Sequence, residues 1–181
     1  AGASLVCAAS LDDSRKRGAL LLEAFARLRE RRPDATLALV RPAGSPPPAL
    51  LLPDGVRWVE AHDTGDVARA FARSSASVLA AVGEALGLVM IESLATGTPV
   101  VAARSGAGPE LIDDDRVGAL FEPDDAESLL AAMERALDQS REDGVVEACV
   151  KKASAYEWGR LMDRYVRLYE CVAERHGRGE T

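Results

Sequence analysis

No stretch of this sequence approaches the ~20 consecutive apolar residues that a membrane helix needs, so no helical span is expected. Metal ligands and disulfide partners are scarce too. The two histidines, His62 and His176, are isolated, and the three cysteines, Cys7, Cys149 and Cys171, are odd in number and far apart. Neither a metal centre nor a disulfide framework is expected, and a reducing, cytoplasmic compartment fits this usage. Net positive charge is lacking as well. A formal charge of −7 argues against a nucleic-acid surface, because phosphate backbones are bound mainly through concentrated Lys and Arg. There is no charged leader and no initiating Met, since Ala1-Gly2-Ala3-Ser4 runs directly into Leu5-Val6-Cys7-Ala8; the sequence reads as a piece excised from a longer chain.

What is present is the balance of a soluble globular protein: 48% apolar and 28% charged residues over 181 positions, enough for one domain with a core. Short, nearly all-apolar runs recur at Leu5 to Ala9, Thr36 to Val40, Val56 to Val59, Ser77 to Val82, Pro99 to Ala103 and Gly118 to Phe121. Runs without alternation read as strands buried on both faces, as in a parallel sheet covered by helices. Between them Leu21, Phe25 and Leu28, then Leu130, Met133 and Leu137, then Trp158, Leu161, Tyr165, Leu168 and Val172 repeat at helical spacing. Asp124, with Glu127 three residues on, is a candidate cap for the helix after Pro123. The basic group Arg27, Arg29, Arg31 and Arg32 reads as a helix C-terminus meeting its dipole. Residues 41 to 55, with Pro46-Pro47-Pro48 and Pro53, should be mostly loop. The alternation predicts an α/β, Rossmann-like, doubly wound parallel sheet of about six strands flanked by helices, one domain over residues 1–181.

In such sheets ligands bind outside the carboxyl ends of the strands, where helix N-termini present free N–H groups. The segment from Val82 to Val101 is the most informative. Glu84 lies in the loop leaving the fourth strand, Gly87 stands where backbone can approach a ligand, and a helix beginning near Leu88 offers the N–H groups of its first turn. Glu92, one turn further in, is acceptor-only when ionised and suits a vicinal diol such as a ribose. Spacing alone is weak: with fifteen Glu in 181 positions, roughly one pair eight apart is expected by chance. Local chemistry therefore leaves open a solvated helix residue at Glu92 and a plain loop charge at Glu84.

The order strand, Glu84, Gly87, apolar helix start, Glu92, then Thr96-Gly97-Thr98-Pro99-Val100-Val101 resembles the donor-site signature of the group one, or family four, retaining glycosyltransferases. The resemblance continues through Ala103 to Ile112, through Gly118 to Phe121 and its following helix, and through the closing helix with Trp158. It implies the C-terminal, donor-binding half of a GT-B enzyme, with two Rossmann-like domains facing across a cleft and the N-terminal acceptor domain absent here. It further implies a nucleoside diphosphate sugar as donor substrate, no separate cofactor and no metal. Carried over by position, Glu92 would hold the ribose, Glu84 would be the catalytic position facing the transferred sugar, and the N–H groups of Gly87, Leu88 and Val89 would lie on sugar and diphosphate. Leu86 stands where the family usually has an aromatic residue. Any membrane contact would be made through the absent half.

The loop Ser10 to Gly18 carries Arg15-Lys16-Arg17. In the resembled family this loop gives the diphosphate an Arg and a Lys; the Lys falls on Lys16 and the Arg on Ser10, a departure that Arg15 or Arg17 could make good. The plain alternative is that the triplet offsets Asp12 and Asp13. Gly106-Ala107-Gly108 is not a dinucleotide fingerprint, since its third Gly would fall at Leu111; these glycines would let the chain pass close to the donor, with Glu110 capping or anchoring the short helix, or would form a plain turn. A non-catalytic interaction domain using the Trp158 stripe is the alternative function. Base choice is expected to rest on backbone contacts after Val40 and Val59.

Overall fold

A computed structural model describes residues 2–11, 13–47 and 49–177, the last three without their side chains. Asp12, Pro48 and the side chain of His176 lie outside the described residues. Six strands, β1 (Ser4–Cys7), β2 (Thr36–Pro42), β3 (Val56–Ala61), β4 (Ala76–Leu79), β5 (Val100–Ala103) and β6 (Gly118–Phe121), form one sheet in the order β3-β2-β1-β4-β5-β6. Every neighbouring pair is parallel. The order reverses between β1 and β4, which lie side by side although α1 (Gly18–Arg31), β2, β3 and α2 (Thr64–Ala72) separate them in sequence.

Both faces of this sheet are covered, which is why its strands read as unbroken apolar runs. On one face α1 and α5 (Ala126–Gln139) bring Leu21, Phe25, Leu28, Leu130, Met133 and Leu137 against Leu5, Cys7, Leu37, Leu39, Val101 and Phe121. On the other, α3 (Leu88–Ala95), the single turn α4 (Gly108–Leu111) and α6 (Val145–Ser154) bring Met90, Leu94, Leu111, Val145 and Cys149 against Leu79, Val100 and Ala102. Phe71 of α2 packs with Val6 and Val40.

The strands differ from their apolar runs where the runs overshoot. Ladder pairing of β1 ends at Cys7 and that of β4 at Leu79, but Ala80 and Ala81 remain buried, because the loops leaving the sheet are themselves covered. β2 runs further than expected, as Arg41 and Pro42 still pair with Glu60 and Ala61 of β3. The helix after Pro123 is capped by Asp125 rather than Asp124. Asp125 has an extended backbone and accepts from the N–H groups of Glu127 and Ser128, each at 2.9 Å; Asp124 has φ of +58°, which the extended cap geometry does not allow. The basic group ending α1 does more than meet a dipole: Arg27 and Arg31 pair with Glu127, Arg31 with Glu134 and Arg32 with Asp138, so four ion pairs join α1 to α5.

The closing helix α7 (Trp158–Gly177) keeps its apolar spacing but not a core position. Trp158 is 75% exposed, Tyr165 54% and Leu168 57%. Among the described residues no helix is long and apolar enough to cross a membrane.

Two outcomes follow from this packing. Phe25, fully buried between α1 and the sheet, should cost about 3–5 kcal/mol when cut to Ala, read as a lower urea midpoint at unchanged slope. Burial pushes the thiols of Cys7 and Cys149 up to about 12, whereas Cys171 is exposed. A thiol-reactive dye at neutral pH should therefore label Cys171 alone in the folded chain, and all three cysteines only after denaturation.

Candidate functional site

The carboxyl ends of β1, β2 and β3 and the flank of α3 enclose a cavity of about 1000 Å³, at the upper end of the ~300–1,000 Å³ usual for ligand pockets. Its floor is Ala8 to Leu11, just past β1. Val40 to Pro42 and the half-buried Trp58 form one wall, Ala61 to Gly65 with Val67 and Phe71 another, and Glu92, Ala95 and Thr96 of α3 a third. The surfaces are mainly apolar, with few charged groups among them.

Glu92 is one of these. Its side chain has no hydrogen-bond or ion-pair partner among the described residues, so both oxygens remain available as acceptors toward the cavity. The helix carrying it is held from beneath. Buried Ser93, its chain neighbour, has its hydroxyl within hydrogen-bond distance of both Thr98 O at 3.0 Å and Ser77 Oγ at 2.7 Å, its one proton serving one of them, and Thr98 Oγ1 donates to Phe71 O at 2.9 Å. These bonds tie α3 to β4 and to the end of α2, and so fix the direction in which Glu92 points. Sequence reading passed over Ser93 and Thr98; a hydroxyl in the middle of an apolar helix face is the signal that was there to find.

The start of α3 depends on Gly87. With φ of +70° it takes a left-handed cap conformation, and a Cβ there would meet Met90 Cε at 2.1 Å. Met90 and Ile91 return their N–H groups to Gly87 O. Those of Gly87, Leu88 and Val89 have no partner among the described residues, leaving three donors at the positive end of the helix dipole.

Lys16 and Glu84 are brought together. Lys16 closes a single 3-10 turn after β1, and its Nζ donates to Glu84 Oε1 from the neighbouring loop after β4; each side chain is about a quarter exposed. Glu84 is braced by the loop after β5: Ala107 N donates to Glu84 O at 2.7 Å, and a Cβ on Gly106, at φ of +54°, would lie 2.2 Å from that same oxygen. The tight approach that requires Gly106 is thus to the protein's own backbone. Glu110 does not cap α4 by its side chain, but anchors it, accepting from Tyr156 Oη at 3.1 Å.

The other two cations of the triplet are directed elsewhere. Arg15 folds back on Asp13, which caps the 3-10 turn; the Arg15 side chain and backbone N–H hold that carboxyl down at about 2. Arg17 pairs with Asp124 at 2.5 Å. The offset by Asp13 is therefore present for Arg15, and each of the three cations has its own carboxylate. Lys16, Glu84 and the first turn of α3 stand beyond the lining of the cavity, and Glu92 stands within it. Arg41 and Trp58, which line it, were not singled out in the sequence. No group of three or more His, Cys, Asp and Glu side chains among the described residues could hold a metal ion.

Comparison with known proteins gives this geometry a context. Residues 2–139 match the family described as Glycosyl transferases group 1. The phosphatidyl-myo-inositol mannosyltransferase of Mycolicibacterium smegmatis is 31% identical over 175 residues, covering 90% of this chain and 43% of that protein. The crystallised C-terminal domain of a group 1 glycosyl transferase, LpcC from Francisella tularensis, matches with a TM-score of 0.67 at 19% identity, covering 84% of each chain. The pneumococcal O-GlcNAc transferase GtfA, solved with UDP and GlcNAc, matches with a TM-score of 0.75 at 16% identity over 94% of this chain and 36% of its own. The two structural likenesses show a shared fold, and the chain spans less than half the length of the mannosyltransferase it matches. By the extent of the family match, the chain belongs to the group 1 glycosyl transferases.

Proposed function

We propose that residues 1–181 are the donor-binding, C-terminal domain of a retaining glycosyltransferase whose acceptor-binding domain is not in this chain. The donor is a nucleoside diphosphate sugar, and no metal or further cofactor takes part. The observation that carries this reading is Glu92: an ionisable acceptor with no partner among the described residues, facing a cavity large enough for a nucleoside, on the helix whose start holds three N–H donors likewise without one. At 1.5 Å rise per residue, Leu88 and Glu92 are ~6 Å apart along the helix axis, a span suited to a ribose at one end and a phosphate at the other.

In this arrangement the base lies against Trp58 and the ribose hydroxyls donate to Glu92. The diphosphate lies across the start of α3, met by the N–H groups of Gly87, Leu88 and Val89 and by Lys16. As the bond from sugar to phosphate breaks, negative charge grows on the departing diphosphate, and these donors are already aimed at it. Glu84, held beside Lys16, is the carboxylate that faces the transferred sugar. Arg15 and Arg17 would have to leave Asp13 and Asp124 to help, so Lys16 carries the cationic contact. The acceptor, and any acid or base acting on it, belongs to the other half, for which the exposed stripe of α7 is the available face.

Calorimetric titration with nucleoside diphosphates should show weak binding that falls with added salt. Glu92→Ala should weaken it roughly ten- to a hundredfold, as expected for losing hydrogen bonds to a charged group; unchanged binding would remove the ribose assignment. In the full-length enzyme Glu84→Ala should reduce the rate of transfer while leaving diphosphate affinity largely intact. The 181-residue chain alone should transfer no sugar, because only one reactant is fixed. Robust transfer by this chain would show that the acceptor site has been misplaced.

A further inference from the structure

A second cavity, of about 430 Å³, lies at the amino ends of β1, β4 and β5, the opposite end of the strands from the cavity that Glu92 faces. Its lining holds two arginines, Arg73 at the end of α2 and Arg141 after α5, and no Asp or Glu. That reverses the sign of charge locally, in a chain whose formal charge is −7. Both arginines are exposed, and neither guanidinium has a hydrogen bond or ion pair among the described residues, whereas Arg27, Arg31, Arg32 and Arg69 each hold a carboxylate. Glu142, Asp143 and Glu147 are close in sequence, but all three are exposed and none borders the cavity.

The other donors around it narrow what the cavity takes. Ser74, Thr96, Thr98 and Ser140 give their hydroxyl protons to the carbonyl oxygens of Ala70, Ser93, Phe71 and Leu137, so they have none left for a ligand. Ser4 and Ser75 share one hydrogen bond between Oγ atoms 3.3 Å apart, which leaves the pair one proton to give. At the wall formed by Val145 and Val146, α6 begins. Its cap, Gly144, has φ of +83° and no side chain to accept from the first turn, so the N–H groups of Val145, Val146 and Glu147 have no partner among the described residues. The turn between α3 and β5 holds this helix start in place, since a Cβ on Gly97, at φ of +79°, would lie 2.7 Å from Val146 Cγ1. Two guanidinium forks and a helix start, on three different segments, suit a group that presents oxygens in three directions. A phosphate does so, and a planar carboxylate does not.

We propose that this cavity binds a phosphate group, free or carried by a small phosphorylated molecule, between Arg73, Arg141 and the start of α6. The site is separate from the contact assigned to Lys16 and the start of α3, and it stands whether or not that assignment does. A phosphate here joins the end of α2 to the start of α6. Thr96 borders both cavities and bonds to Ser93 O, so the site abuts the C-terminal end of the helix that carries Glu92.

The test is a titration of the isotope-labelled chain with inorganic phosphate, read from amide and arginine side-chain NMR shifts. The amides of Val145, Val146 and Glu147 and the Nε–H groups of Arg73 and Arg141 should follow one saturating curve, which chloride at equal ionic strength should not reproduce. Arg73→Gln and Arg141→Gln should each weaken binding about three- to tenfold, and the double variant at least about tenfold. Lys16→Gln should leave these shifts as they are. Glycerol phosphate separates the two sources: tighter binding than inorganic phosphate marks a carried group, and weaker binding marks the free ion. Shifts confined to Gly87, Leu88 and Val89 would put phosphate at the donor site alone and overturn this one. Shifts at α6 that grow without saturating, or that persist undiminished in the double variant, overturn it as well. The titration of the unaltered chain decides the matter even if a variant fails to fold.

Discussion

A parallel sheet has no solvent face, and its crossovers must all return to the same starting edge. From that constraint the position of every group in the site follows. Six parallel strands place six carboxyl ends along one edge, and at the reversal of order between β1 and β4 the helices that follow them, α1 and α3, go to opposite faces of the sheet. The loop after β1 carries Lys16 and the loop after β4 carries Glu84; 68 positions apart in sequence, they meet because β1 and β4 are neighbours. The free N–H groups of α3 arise at the same place, since α3 is the first helix after β4.

Holding α3 in that position takes polar bonds inside an apolar layer. Ser93 is fully buried with its hydroxyl between Ser77 Oγ and Thr98 O, and Thr98 is nearly as buried, bonding to the last turn of α2. A fully satisfied pair of hydroxyls fixes orientation as well as depth, which apolar contacts alone do not do. Met90 and Leu94 hold the helix against the sheet, while the hydroxyls set its rotation about its own axis, and rotation decides whether Glu92 faces the cavity or solvent.

How far the sequence disclosed this varies with the range of the interaction. Strand positions were legible because burial on both faces leaves an uninterrupted apolar run, though Ala80 and Ala81 show that a buried loop leaves the same mark as a strand. The family was legible in the segment around Glu84 and Glu92. Local details were less so. Asp124 and Asp125 are equivalent as letters, and only the left-handed backbone of Asp124 separates them. The stripe on α7 has a core helix's spacing, yet stands exposed, because periodicity records that a face is apolar and not what covers it. The basic run closing α1 looked like a dipole effect since its acidic partners lie about 100 residues away on α5. Arg41 was hidden for the opposite reason: it follows Val40 directly, where a charged residue reads as the strand's end, whereas the ladder in fact continues through it to Pro42.

Charge at the site has the same long-range character. The protein is acidic overall, and each cation of the Arg15-Lys16-Arg17 triplet is matched by a carboxylate. The three pairs differ in what an arriving anion must do to gain them. Arg15 is held by side-chain and backbone bonds to Asp13 within one turn, and Arg17 spans to Asp124 beside α5, so recruiting either one disrupts local structure. Lys16 and Glu84 come from two separate loops and are only about a quarter exposed, so their attraction is less screened by water than that of a surface pair. Lys16 has three N–H donors and needs only one for Glu84; a diphosphate across the start of α3 can take another without breaking the pair. Glu84 in turn holds the ammonium in place before the ligand arrives. In the proposed donor arrangement, Ser10 in place of an Arg would remove charge from the diphosphate contact without removing its geometry, since Lys16 is fixed by a carboxylate from the opposite side of the topological switch.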